Sequence, residues 1–244
     1  MITSLTNNKV KEWKKLQKRK YRDRNGLFIV EGNHLVEEAF KSDWNVEELI
    51  IREDVDFSLD RDIPVTSVST KVFKEIAETE TPQGIAAVVK FKEFTYKPLT
   101  HTLLIDSVQD PGNLGTLIRT ADAAGFNQVI VGKGSVDIFN EKVLRATQGS
   151  IFHLPVIQED LEKVIPHLKD NGITVYAAAL ENSLPYKQHD PAETSALIVG
   201  NEGQGIRSEV LDMASHKISI PIYGNAESLN VAIAAAILMY HLKG

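Results

Sequence analysis

The chain has 244 residues, 43% hydrophobic and 25% charged, enough to bury a full core in one large domain or in a small and a medium one. It has no cysteine, which removes a disulfide framework, a thiolate zinc site and a cysteine nucleophile. The longest apolar run, Val231 to Tyr240, is far short of the roughly 20 residues of a membrane span, and the opening MITSLTNNKVKEWKKLQ has no apolar core of signal-peptide length; a cytoplasmic protein with no membrane partner is expected.

The net charge of −6 is unevenly spread. Between residues 9 and 24, nine bases (Lys9, Lys11, Lys14, Lys15, Lys18, Arg19, Lys20, Arg22 and Arg24) stand against Glu12 and Asp23, a net +7 that leaves −13 for the rest. Such a block reads either as a footprint for phosphates or as the solvated face of a helix whose apolar stripe is Val10, Trp13 and Leu16.

In chain order, the periodicities predict a helix over 7–20, a strand over 27–30, a helix over 33–41, a strand over 46–51, a short strand near Val65, a helix over 70–78 and a strand over 85–91. Alternating helices and strands of this length make a small α/β sandwich. The stretch KEFTYKPLT (92–100) lacks periodicity, and the domain boundary is placed there, giving domains 1–95 and 96–244. The second domain reads strand 102–105, helix 113–124, strand 128–131, helix 140–146, strand 152–155, helix 160–169, strands 174–178 and 196–199, helix 208–214, strand 217–220 and a last helix 229–242. Its strands are continuous apolar runs, as in a parallel sheet covered on both faces.

Common nucleotide motifs fit poorly. Gly132-x-Gly134 has no third glycine in register, and GNEGQG (200–205) is followed by Ile206 and Arg207, so neither a dinucleotide fingerprint nor a P-loop is present. The seven histidines form no metal-ligand motif, and no metal is expected.

Three segments carry the chemistry: DSVQDPGNLGTLIRTADAAGF (106–126), LIVGNEGQGI (197–206) and ISIPIYGNAESLNVAIAAAI (218–237). Each sets turn-forming residues and fixed polar groups between a strand and a helix, where α/β proteins build ligand sites. In the first, Asn113 stands where a helix N-cap would be and Arg119 follows six positions on. Cap and surface cation are the bland readings; a reaction centre is the other. In the second, glycines leave main-chain amides unshielded. In the third, Ser228 and Asn230 sit at the mouth of the last helix, where Ser228 is a candidate cap.

Read together and in this order, the segments resemble the three motifs of the SpoU (TrmH-type) RNA ribose 2′-O-methyltransferases of the SPOUT superfamily. The resemblance implies an α/β fold with a C-terminal trefoil-knot methyltransferase domain and a smaller N-terminal ribosomal-protein-like α/β sandwich that binds RNA, the latter carried by FIVEGNHLVEEAF (28–40). It implies S-adenosylmethionine as cofactor, held at Leu180, Gly200, Gly203, Ile220 and Leu229, and a catalytic set of Asn113, Arg119, Glu202, Ser228 and Asn230. RNA contacts are expected from Lys9, Lys14, Lys15, Lys18, Arg19, Lys20, Arg22 and Arg145. The N-terminal domain favours ribosomal RNA, that of the large subunit first, over tRNA, and family members are homodimers through the C-terminal domain. A non-catalytic ribosome-binding protein that keeps the fold is the alternative from another class. Arg119 is either a general base or an electrostatic clamp on the target phosphate; a guanidinium with pKa above about 12 favours the clamp.

Overall fold

The stripe of Val10, Trp13 and Leu16 buries one face of α1 (Asn8–Leu16), and the Asn7 side chain caps its first turn. In this computed structural model, which describes residues 1–57 and 63–244, the basic segment is two helices rather than one: α1 ends at Gln17 and α2 (Arg19–Asn25) follows, stopped by Gly26 at φ 65°. The break is held by Arg22, whose buried guanidinium donates to the carbonyls of Leu16 (2.8 Å) and Gln17 (2.9 Å), acceptors that a helix end leaves bare.

There follow β1 (Leu27–Glu31), α3 (Asn33–Lys41), β2 (Val46–Arg52), β3 (Val65–Val68), α4 (Thr70–Ile76) and β4 (Ile85–Lys90). They form a four-stranded sheet in the order β1-β4-β2-β3, with β4 antiparallel to both neighbours and β2 parallel to β3. Its core joins the α1 stripe to Ile50, Val68, Phe73, Ala86 and Val88.

The second sheet begins with β5 (His101–Ile105), α5 (Pro111–Ala123) and β6 (Gln128–Val131). The chain then contributes α6 (Glu141–Thr147) to the first unit. By their packing, residues 139–152 belong with Met1–Glu93, whereas Phe94–Ile138 and His153–Gly244 form the second unit. The physical reason is aromatic: Phe139 stacks on Phe91 (4.2 Å between centroids) and lies 4.6 Å from Phe28, while Phe152 meets Trp44 edge-on at 5.4 Å. Sequence periodicity cannot assign this helix to a sheet whose last strand, β4, ends at Lys90, before the whole of β5, α5 and β6.

The remaining elements are β7 (Val156–Gln158), α7 (Leu161–Asp170), β8 (Thr174–Ala178), β9 (Leu184–Pro185), β10 (Ser195–Val199), α8 (Ser208–Leu211), β11 (His216–Ser219) and α9 (Val231–Lys243). The strand expected at 152–155 is instead a 3-10 turn (Ser150–Phe152), with β7 starting only after Pro155. The two-residue β9, pairing with β11, was not read from the sequence. The seven strands run in the order β7-β6-β5-β10-β8-β11-β9 and all pair in parallel. On one face, α7 and α8 bury Leu161, Val164, Leu168 and Val210 against Leu104, Ile130, Val175 and Ile198. Alternate residues Leu103, Ile105, Leu197 and Val199 are left for the face where α5 and α9 pack. Among the described residues no helix is long and apolar enough to cross a membrane.

Candidate functional site

The carboxyl ends of β5, β8, β10 and β11 are where an open parallel sheet places ligands. At the end of β5 the backbone turns at Ser107, held at φ 62° although it is not glycine, and the next loop leads into α5. Asp110 rather than Asn113 caps that helix: its carboxylate accepts from the Asn113 amide at 2.8 Å, and Pro111 occupies the first helical position. This corrects the cap reading of Asn113, and the Asp-Pro pair was a signal in the sequence that could have shown it. Freed from capping, the Asn113 side chain donates to Glu202 Oε1 (3.0 Å) and accepts from Asn230 Nδ2 (2.9 Å).

That pair of bonds ties the three sequence motifs together. Glu202 also accepts from the main-chain amides of Gln109 (3.3 Å) and Asp110 (3.0 Å). Burial pushes the Glu202 carboxyl up, but the hydrogen bonds from Asn113 and from main-chain amides outweigh it and leave the group below its ordinary value. At the other end, Asn230 Oδ1 accepts from Ala232 N (2.9 Å) and Ile233 N (3.3 Å), so Asn230 is the N-cap of α9. Ser228, the candidate cap, is exposed and caps nothing.

The GNEGQG loop closes on itself. Asn201 and Gly205 exchange both main-chain bonds (2.9 and 3.0 Å), and Asn201 Oδ1 accepts from Gly203 N (2.9 Å) and Gln204 N (3.0 Å). The same side chain donates to the Ser107 carbonyl at 2.9 Å, bracing the second motif on the first. A further brace is Arg207, whose main-chain N–H and Nε each donate to the buried Asp106 carboxylate at 2.8 Å. Asn201, Asp106 and Arg207 were not singled out from the sequence, because each acts on a partner about a hundred residues away. Gly200 is required by packing: a Cβ there would lie 2.3 Å from the Gly205 carbonyl carbon.

Above these loops opens a cleft of about 760 Å³, within the range of small-molecule sites, about 300–1,000 Å³. All five residues expected to hold a cofactor line it (Leu180, Gly200, Gly203, Ile220 and Leu229), together with Asn113, Glu202, Ser228 and Asn230. The main-chain groups of Gly200, Ile220 and Leu229 make no hydrogen bond among the described residues, which leaves them for a ligand; the Gly203 N–H is taken by Asn201. The charged residues of the wall are Glu181, Glu202 and Glu227, with no lysine or arginine. A bare main chain, apolar walls and excess negative charge fit a nucleoside carrying a positive centre, as S-adenosylmethionine does.

Arg119 is not among the lining residues. On α5 it lies six positions beyond Asn113, about 240° further round the helix, exposed and without hydrogen bond or ion pair among the described residues. Of the bases expected to meet RNA, Lys15, Lys18 and Lys20 are exposed and make no ion pair among the described residues, Lys9 pairs with Glu48, Lys14 with Glu75, Arg19 with Asp23 and Arg145 with Glu141, and Arg22 is buried. Among the described residues no group of histidines and carboxylates could hold a metal ion.

Residues 100–240 match the model of the SpoU rRNA Methylase family, and residues 7–87 that of the MRM3-like substrate binding domain. The chain is 48% identical to the 23S rRNA (guanosine(2553)-2′-O)-methyltransferase RlmP of Bacillus subtilis, over 100% of this chain and 99% of the relative. It is similar to the AdoMet-bound rRNA methyltransferase from Sinorhizobium meliloti, with TM-score 0.90 and 33% identity over 99% of this chain and 96% of that one. A TrmH-family structure from Porphyromonas gingivalis aligns with TM-score 0.88 and 34% identity over 98% of each chain. With the family model spanning more than half of the sequence and a relative aligned from end to end, the chain belongs to the SpoU rRNA Methylase family, whose ribose 2′-O-methyltransferases its three motifs resemble.

Proposed function

We propose that this RNA methyltransferase moves the methyl group of S-adenosylmethionine onto a ribose 2′-hydroxyl of 23S ribosomal RNA in the cytoplasm, and that the guanosine named for the Bacillus subtilis relative is the first nucleotide to test. The observation that carries the reading is the relay from Asn230 through Asn113 to Glu202 at the mouth of a cleft with a bare main chain. A lapsed, merely ribosome-binding protein would have no need to keep these three polar groups in register. Bound in the cleft, S-adenosylmethionine would supply a methyl group on a positive sulfonium; the transfer leaves a neutral thioether and releases the hydroxyl proton to water, and an acidic wall holds the sulfonium better than the thioether. The main chain at Gly200, Ile220 and Leu229 holds the nucleoside, and Asn113, fixed by both neighbours, presents its amide edge to the incoming ribose.

Arg119 has the clamp role: it binds the target phosphate and stabilises developing alkoxide character, since a guanidinium keeps its proton. It performs this in the cleft of a second copy. Arg119 is exposed and does not line its own cleft, and α9, packed on α5, exposes Ile233 (54%) and Tyr240 (56%), an apolar face suited to a homodimer. The trefoil threading of the family belongs to the same reading, because the cleft draws its walls from segments near 113, 178–181, 199–206 and 218–231. RNA is delivered by the free bases of the first unit. Mapping ribose methylation on RNA from cells with and without this protein tests the proposal: one 23S nucleotide should lose its methyl group, whereas an unchanged 23S map, or a loss confined to tRNA, would contradict it.

A further inference from the structure

The third motif leaves the cleft wall and returns to it. Ile222 and Glu227 both line the cleft, whereas the four residues between them, Tyr223-Gly224-Asn225-Ala226, do not, so they form a short excursion at its edge. All four are exposed, and a Cβ on Gly224 would meet nothing within 4 Å. Tyr223, the first of them, is 91% exposed, with no hydrogen bond and no ring contact among the described residues. Tyr240, the other strongly exposed tyrosine, differs: its hydroxyl donates to the Ala123 carbonyl at 3.3 Å. A phenol ring left entirely in water is a large apolar surface without a partner, and tyrosines at binding sites pair such a surface with a polar edge.

We infer that Tyr223 is a stacking platform for a nucleobase of the RNA substrate, at or next to the methylated nucleotide. The inference rests on the proposed ribose methylation. A ribose whose 2′-oxygen faces the methyl donor must hold its base outside the donor's cleft, in the region of the rim. RNA bases are read when they are splayed out of the helix and laid on aromatic faces. The chemistry of the wall points the same way. Its charged residues are Glu181, Glu202 and Glu227, so from its own chain the rim repels phosphate and offers no cation for backbone recognition. A neutral ring attracts a nucleobase without opposing that field. Because every base has a π-face, Tyr223 contributes affinity and orientation; the choice among bases comes from hydrogen bonds made elsewhere.

The test is steady-state methyl transfer to a synthetic 23S rRNA fragment spanning the mapped nucleotide, with the full chain as wild type and as Tyr223→Ala, Tyr223→Phe and Tyr223→Trp. Removing one stacking ring should lower kcat/KM for RNA by roughly 5- to 150-fold in Tyr223→Ala. Calorimetric affinity for S-adenosylmethionine and the sedimentation behaviour should stay unchanged in that variant. Phe should restore most of the rate, and the indole of Tyr223→Trp should be quenched when RNA binds without cofactor. Wild-type kinetics in Tyr223→Ala would overturn the inference. So would a Phe variant as poor as Ala, which would make the hydroxyl the active group, or an Ala variant that loses cofactor affinity or changes its oligomeric state, which would make the ring a wall or an interface residue. If wild type fails to methylate the fragment, the proposed function falls and this inference with it, a result distinct from an active wild type indifferent to position 223.

Discussion

The bases of residues 9–24 and the lone Arg119 of α5 differ in what their charges are doing. Lys9 reaches Glu48 and Lys14 reaches Glu75, each at 2.5 Å; Arg19 faces Asp23 at 3.5 Å; Arg22 is buried on two carbonyls. Lys11, Lys15, Lys18, Lys20 and Arg24 are exposed and make no ion pair among the described residues, Lys15 lying 5.9 Å from the centre of the Tyr21 ring. Arg119 has no partner among them and lies exposed on α5, the helix against which α9 packs. A net +7 therefore overstates the phosphate footprint of the first unit, because four of the nine charges are already engaged within it. The five bases that remain, together with Arg119, are the ones left for phosphate among the described residues.

The largest effect that sharpens this contrast is expected at Arg119. Arg119→Ala should lose methyl transfer by orders of magnitude while calorimetric affinity for S-adenosylmethionine stays near wild type, and Arg119→Lys should rescue poorly, since an ammonium lacks the two-pronged fork. Methylation at the wild-type rate in Arg119→Ala would remove the arginine from the reaction.

Next in size is Gly200. A side chain there meets main chain of its own loop rather than the ligand space, so Gly200→Ala should lower both cofactor affinity and the melting temperature. Gly203→Ala, whose new Cβ has room, should alter neither by much; equal damage in the two variants would show that ligand space decides.

Glu202 gives a pH dependence. Its folded pKa is depressed, so the bonds it makes to the first motif stabilise the site above the ordinary glutamate range near 4.5 and are lost as pH falls through and below it. Cofactor affinity should fall along that acid limb in wild type. In Glu202→Gln it should be weaker at neutral pH and flat across the same range; a wild-type acid limb persisting in that variant would assign the titration to another group.

The smallest effects belong to the basic segment. Replacing Lys11, Lys18, Lys20 or Arg24 by Ala should each weaken RNA binding modestly and flatten its dependence on log salt by about 0.7–0.9 for each phosphate that is no longer neutralised. Lys9→Ala and Lys14→Ala should instead change stability, by no more than about 1 kcal/mol, with the salt slope intact. An equal flattening in both groups would return the whole segment to the RNA. Substitutions are the better probe than deleting residues 1–95, because that deletion would strip the partners of Phe139 and Phe152.

Much of this was legible in the sequence where the signal is local. The helices at 33–41 and 161–170, strand 128–131 and the Val10, Trp13, Leu16 stripe follow from periodicity and caps. Turn chemistry together with the motif resemblance names Leu180, Gly200, Gly203, Ile220 and Leu229, and these residues line one cleft. What escaped depends on distance along the chain: Asn201 on Ser107, Arg207 on Asp106 and Phe139 on Phe91 are pairings that no window of residues contains. The helix start differs from the expected Asn113 for a local reason: the Asp110-Pro111 pair begins it three residues earlier. Arg22, expected at the RNA, is buried instead, because sequence shows charge but not the carbonyls that a helix break exposes.

The central claim is that the free Arg119 of one copy completes the cleft of another, and mixing inactive variants tests it most directly. Arg119→Ala and Asn113→Ala proteins, each inactive alone, should be dissociated, mixed in equal amounts and assayed for methyl transfer to the 23S fragment. Half of the dimers formed would then hold one intact site, so about a quarter of wild-type activity should return. No recovery, with mixed dimers demonstrated in the sample, would place Arg119 and Asn113 in the same chain's site and contradict the account.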